Sequence, residues 1–122
     1  MSLLQNKVVH GLGGFLLMGG WAFFANRAHG VPAQLTAGLV QGVLTATITL
    51  FLKQVIEGLF HRTTGALRLL LPPLAACVIS LVLLTTVHVT AGTPALGATI
   101  SVPLTVSTLY ALLYTLALSR HV

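Results

Sequence analysis

Polar side chains are so sparse along this chain that they punctuate four long apolar runs: Val8 to Ala25, Ala33 to Leu52, Leu69 to His88 and Ala95 to Leu118. The runs hold 18, 20, 20 and 24 residues. A helix rising about 1.5 Å per residue needs about 20 residues to cross a ~30 Å hydrocarbon core. A transmembrane β-strand would need only about 10, with alternating apolar and polar positions, and no such alternation is present. The pattern therefore predicts an all-α fold, a single membrane domain over residues 1–122 with four transmembrane helices. The first run has a basic flank at Lys7 and small residues at Ala25 and Ala28, as a signal peptide does, but is expected to be retained as a span. The connections Asn26 to Pro32, Lys53 to Arg68 and Val89 to Pro94 are short. Short connections make neighbouring helices antiparallel, which gives an up-down bundle.

Composition agrees. Hydrophobic residues make up 56% of the chain and charged residues 6%, against roughly 25% charged in a soluble domain. The mean hydropathy is +0.99. The formal charge of +5 would suggest nucleic acid if the basic residues formed a stripe; they lie instead at the ends of the apolar runs, so no nucleic-acid partner is expected. With the N-terminus inside, Lys7, Lys53, Arg62, Arg68 and Arg120 fall inside and only Arg27 outside. The positive-inside rule then places both termini in the cytoplasm, for a multi-pass protein of the cell inner (plasma) membrane. Cys77 is the one cysteine and sits within an apolar run, as a small packing residue does.

The second run carries the most informative polar pattern. Gln34, Gln41, Thr45 and Thr49 fall within about 80° of one another on a helical wheel, and the four-residue ladder continues through Lys53, Glu57 and His61. Polar groups facing lipid are costly, so this ridge is expected to face other helices or a wet cavity. It either lines a path for substrate through Gln41, Thr45, Thr49, Lys53, Glu57 and His61 or glues helices together. Glu57 is the sole acid and has Lys53, Arg62 and Arg68 as possible ion-pair partners.

Gly11, Gly13, Gly14, Gly19 and Gly20 crowd the first run without strict GxxxG spacing. Gly13 and Gly20, seven apart, share a face and are expected to pack closely on a neighbouring helix or a second copy. Pro72-Pro73 either opens the third helix, leaving Thr63 to Leu71 as a short interfacial segment, or breaks a longer one. Pro103 frees the carbonyl of Thr99 close to Thr105, Ser107 and Thr108, which together offer a small polar site. Trp21 and Phe24 at one end, and Tyr110 and Tyr114 at the other, suit interfacial belts. Pro32 and Pro94 stand 62 residues apart before Thr-rich helices, a spacing that either marks two related hairpins or reflects the ordinary use of proline at helix starts.

Several chemistries are excluded. One acid rules out a carboxylate dyad within the chain, and no HExxH, CxxC or Walker-type motif occurs. His29 and His88 could in principle share a haem, but histidines at a membrane interface need no such account. No catalytic residue, metal or cofactor is therefore expected, and the protein reads as a non-enzyme. Small multidrug transporters share the size and span count but carry a Glu in the first helix, whereas Val8 to Ala25 contains no acid. The layout loosely resembles GtrA-type proteins, four-span membrane proteins associated with polyprenyl-linked sugars, through Gly13-Gly14-Phe15-Leu16-Leu17-Met18-Gly19-Gly20 and its topology. That likeness implies a lipid-linked solute and falls short of membership. The expectation is a protein that translocates or binds a lipid-linked or small solute as a homo-oligomer, the alternative being an accessory or assembly subunit of a larger membrane complex.

Overall fold

The structure, a computed structural model, describes residues 3–121, with side chains described at 9 and 11–121. The side chains of Lys7, Val8 and His10 thus lie outside the described residues. Helix α1 (Leu3–Ala25) passes through a 3-10 turn (Arg27–His29) into α2 (Val31–Arg62), followed by α3 (Gly65–Thr90) and α4 (Leu96–Ser119). The fold is all-helical, about 90% of the chain being in helix. Helices α2, α3 and α4 are long and apolar enough to cross a membrane, and α1 adds a shorter apolar stretch, Gly11–Ala25.

Two boundaries differ from the sequence reading. Helix α2 does not stop with its apolar run at Leu52 but continues through Lys53 to Arg62. Hydropathy marks where lipid would end, whereas a helix ends at a breaker or a cap, and between Lys53 and Arg62 neither occurs apart from Gly58. The end comes at Thr63 and Thr64, both extended (φ −126° and −136°). Arg68 reaches back over that turn: its Nε donates to the carbonyls of Phe60 (3.1 Å) and Thr63 (2.9 Å), and its guanidinium lies 4.5 Å from the Phe60 ring centroid. A cation on the last carbonyls of a helix is favourable both as a cap and against the helix dipole.

The second difference is at the prolines. Helix α3 begins at Gly65 and runs through Pro72 and Pro73, so Thr63 to Leu71 is not a separate segment. The pair removes the N–H donors that would bond the carbonyls of Arg68 and Leu69. Helices packed among neighbours tolerate that loss. Pro32 lies in the first turn of α2, whereas Pro94 precedes α4 by two residues, so the two prolines do different work in the two hairpins.

The helices form a four-membered bundle in which α2 and α4 meet across the short diagonal while α1 and α3 stay apart. Helix α2 is the central element and carries two stripes, each on a four-residue row. Leu44, Ile48, Leu52, Ile56 and Phe60 are buried, four of them forming the apolar core with Ala76, Leu84 and Ala111. The polar row Gln41, Thr45, Thr49 runs beside it. Many outward-facing residues are large and apolar; Leu17 and Leu50 are each 70% exposed, as lipid-facing positions would be.

Helix α1 sits on α2 by backbone contact. A Cβ added to Gly19 would lie 2.8 Å from the Gly38 carbonyl oxygen, and one added to Gly42 would lie 2.7 Å from the Phe15 ring. Gly38 and Gly42 form a GxxxG pair in α2 that receives Gly19 and Phe15 of α1. Gly13 and Gly20 have nothing within 4 Å of their Cβ positions, so the close approach inside the chain is made elsewhere. Gly19→Ala is accordingly expected to lower stability by about 1–3 kcal/mol, the usual range for overpacking, while Gly20→Ala costs nothing. Unfolding titrations in mild detergent separate the two; equal behaviour would contradict the α1–α2 crossing.

A polar-walled cavity as the candidate functional site

The site is built from the polar row of α2. Gln41 is fully buried, in the middle of a helix whose backbone groups are already bonded to one another. An amide there must find side-chain partners within the protein. It finds two. Its Nε2 donates to Thr45 Oγ1 one turn on (3.0 Å), and its Oε1 meets Nε2 of His88 on α3 at 2.8 Å. His88 is also fully buried, and its Nδ1 lies 2.7 Å from Thr93 Oγ1. Because the amide oxygen only accepts, His88 donates its Nε2–H to Gln41, and in the uncharged ring Nδ1 then accepts from the Thr93 hydroxyl.

The position of Thr93 follows from how α3 ends. Gly92 adopts φ +74°, its N–H bonds the Val89 carbonyl (3.1 Å) and the N–H of Thr93 bonds the His88 carbonyl (2.9 Å). These are the two bonds of a Schellman cap. The cap turns the chain back so that Thr93 lies over the histidine of the last helical turn. Thr93, His88, Gln41 and Thr45 thus form one hydrogen-bonded line across α3 and α2.

A second polar clip closes the same end of the bundle between α1 and α4. Asn26 is fully buried; its Nδ2 reaches Thr99 Oγ1 and the Ala22 carbonyl, each at 2.8 Å, and its Oδ1 accepts the Ala95 N–H at 3.0 Å. Trp21 Nε1 donates to the Ala98 carbonyl at 2.9 Å. The cap of α4 and the tail of α1 are therefore one network.

Further along the bundle, away from Asn26, lies a cavity of about 210 Å³ between α1, α2 and α4. Gln41, Thr45 and Thr49 form its polar wall on α2. Gly14, Leu17 and Met18 face them from α1, and Pro103, Val106, Ser107 and Tyr110 from α4. Gly14 matters through its missing side chain, since a Cβ there would already touch the Thr45 methyl at 3.4 Å. Ser107 Oγ bonds across to Ser80 Oγ at 3.0 Å. Thr105 and Thr108 donate instead to carbonyls of their own helix, Ser101 and Leu104, so the site expected around Pro103 reduces to Pro103 and Ser107.

The lower part of the polar row does not reach the cavity. Lys53 and His61 are exposed, His61 edge-on to the Phe60 ring at 5.5 Å. Glu57 is half-buried and accepts a hydrogen bond from the Tyr114 hydroxyl, a partner on α4 rather than any of the three basic residues considered. Tyr114 stacks on Tyr110 with centroids 5.7 Å apart, which links Glu57 to the cavity wall through two aromatic rings. Gln34 lies off the site, donating to the Phe23 carbonyl at 3.1 Å. His29 is exposed in the 3-10 turn, and both His88 nitrogens are engaged, so neither reaches a shared iron without breaking the Gln41–Thr93 line. Among the described residues no group of three or more His, Cys, Asp or Glu could hold a metal.

The sequence reading paired neither His88 with Gln41 and Thr93 nor Asn26 with Thr99. The signal for Asn26 was present as a polar residue at the end of an apolar run, but it is equally the signal of a loop. No family model, curated protein or solved structure matches the chain.

The Gln41–His88 contact makes a direct prediction. Gln41→Leu and His88→Leu should each destabilise the protein, and the double variant should lose less than the sum, with a coupling of about 0.6–2 kcal/mol as for interhelical hydrogen bonds in membranes. A double-mutant cycle on unfolding in detergent measures it; strict additivity would mean the two side chains do not meet.

Proposed function

We propose that the protein binds, and passes along or across the membrane, a lipid-linked or small solute whose polar part lodges in the α1–α2–α4 cavity. The observation that carries this reading is that Gln41, Thr45 and Thr49, the polar row of α2, line a cavity, with Gln41 also bonded across the α2–α3 seam to His88. Packing alone would not need open space beside three polar side chains. The cavity of about 210 Å³ is below the ~300–1,000 Å³ of ordinary ligand pockets, which suits part of a molecule with the remainder in lipid. The Thr93–His88–Gln41 line and the Asn26 clip close the path at one end of the bundle, and Glu57–Tyr114 stands at the other.

In this account all four helices span the inner membrane with both termini cytoplasmic, supported by the five-to-one distribution of Lys and Arg. The Glu57 end is then cytoplasmic and the Asn26 end external. Reporters active only in the cytoplasm should work at both termini; activity of either terminus on the external side would overturn the arrangement.

The protein acts as a homo-oligomer, for which Gly13 and Gly20 leave a bare strip on α1 where a second copy can approach. An accessory-subunit role would use the same strip. Photo-cross-linking amino acids placed at Val106 and at Gly20 test both ideas in one preparation. Val106 should capture a small molecule or lipid distinct from the bulk phospholipid captured at Leu50, and Gly14→Phe should abolish it. Position 20 should yield a product of twice the chain's mass. Identical lipid at positions 106 and 50 would remove the binding proposal, and a different protein captured at position 20 would favour the accessory role.

A further inference from the structure

Resting on the binding proposed above, we infer that the cavity admits its ligand sideways from the lipid, between α1 and α4, and selects an uncharged, hydroxyl-type polar group on an apolar chain. The direction of access follows from where α1 and α4 are joined. Among the described residues, every hydrogen bond between them involves Trp21 or Asn26 and the start of α4, at Ala95, Ala98 and Thr99. Beyond that end, cavity-lining residues of both helices are also exposed on the outside of the bundle, Leu17 at 70% and Val106 at 46%, with Thr49 of α2 exposed at the same mouth. A residue that both lines a cavity and faces outward marks an opening, and this one is flanked by apolar side chains, as an opening onto lipid requires.

The selection follows from the lining. Among the described residues its polar members are Gln41, Thr45, Thr49, Ser107 and Tyr110, and none of these is charged. A charged head drawn into such a site would be desolvated without a counter-charge, which is far more costly than placing a hydroxyl there. The wall offers hydrogen bonds of both senses. Thr45 Oγ1 accepts from Gln41, and among the described bonds its own proton has no acceptor, so it is a donor held at the cavity wall. Thr49 Oγ1 gives its proton to the Thr45 carbonyl (2.7 Å) and Ser107 gives its own to Ser80 or Leu104, which leaves their lone pairs as acceptors. A hydroxyl, which donates once and accepts twice, matches a site with one fixed donor and neighbouring acceptors.

The test uses the purified full chain in phosphatidylcholine nanodiscs and four photoreactive probes that share one C12 chain: dodecanol, dodecyl phosphate, dodecyltrimethylammonium and dodecane. Labelling is mapped by peptide mass spectrometry. The alcohol should label Leu17, Met18 and Val106 saturably and about tenfold more than the charged probes, a factor set by the cost of burying an unpaired charge. Thr45→Val should reduce that labelling and Thr45→Ser should restore it. Equal labelling by the phosphate or the ammonium probe would overturn the selectivity while leaving the binding proposal intact. Equal labelling by dodecane would show that the site reads only the chain, and overturns it likewise. If no probe labels these positions above the level at Leu50, the binding proposal falls as well.

Discussion

The structure depends on one constraint: a polar side chain in the middle of an apolar helix must be satisfied by another part of the protein. Gln41 is where that constraint acts. Its amide nitrogen donates to Thr45 within α2, and its amide oxygen takes the Nε2–H of His88, a bond that fixes the rotation of α2 about its own axis relative to α3. Once that rotation is set, the adjoining row Leu44, Ile48, Leu52 and Ile56 turns into the core, while Val43 and Leu50 turn outward. Apolar packing alone specifies rotation poorly in lipid, because a leucine facing lipid and a leucine facing another helix differ little in solvation.

The glycines then decide where space is left. Gly19, Gly38 and Gly42 let α1 lie backbone-to-backbone on α2, near the Asn26 end. Among the described residues, helix α1 is hydrogen-bonded to α4 only at that end, through Trp21 and Asn26. Past the clip no described side chain bonds the two helices, and Gly14 contributes no side chain to fill the gap. The cavity is thus the consequence of three local features: tight glycine packing on one side, a polar clip at one end and a missing side chain in between. Its polar wall is the same row of α2 whose first member orients the helix, so orientation and site share residues.

Much of this was legible in the sequence, and the limits have physical causes. Four helices follow from apolar runs of about 20 residues, and the polar row of α2 follows from its four-residue spacing. The ends of α2 and α3 were not legible because hydropathy records the solvent of a segment and not its hydrogen bonding; Lys53 to Arg62 is polar and still helical. Gly13 and Gly20 stood out by sharing a face of α1, yet the contact inside the chain uses Gly19 against the GxxxG of α2, a pattern visible in the second run and overlooked beside the denser glycines of the first. The pairing of Gln41 with His88 joins residues 47 positions apart, and no periodicity within one helix reports which neighbour a polar group will meet. Glu57 was read against nearby bases, whereas the fold supplies Tyr114 from α4.

The central claim is that the polar row of α2, buried at Gln41, half-buried at Thr45 and exposed at Thr49, lines a cavity between the helices. Spin labels placed singly at Val43, Thr45, Thr49 and Leu50 in nanodiscs, read by collision with dissolved oxygen and with a polar nickel reagent, measure this directly. The account predicts high oxygen accessibility at Val43 and Leu50, which are 59% and 70% exposed, and lower oxygen accessibility at the half-buried Thr45. It also predicts a greater ratio of nickel to oxygen collisions at Thr49 than at Leu50. Oxygen accessibility at Thr45 equal to that at Leu50, with a nickel-to-oxygen ratio at Thr49 no greater than at Leu50, would put the row in lipid and contradict the account.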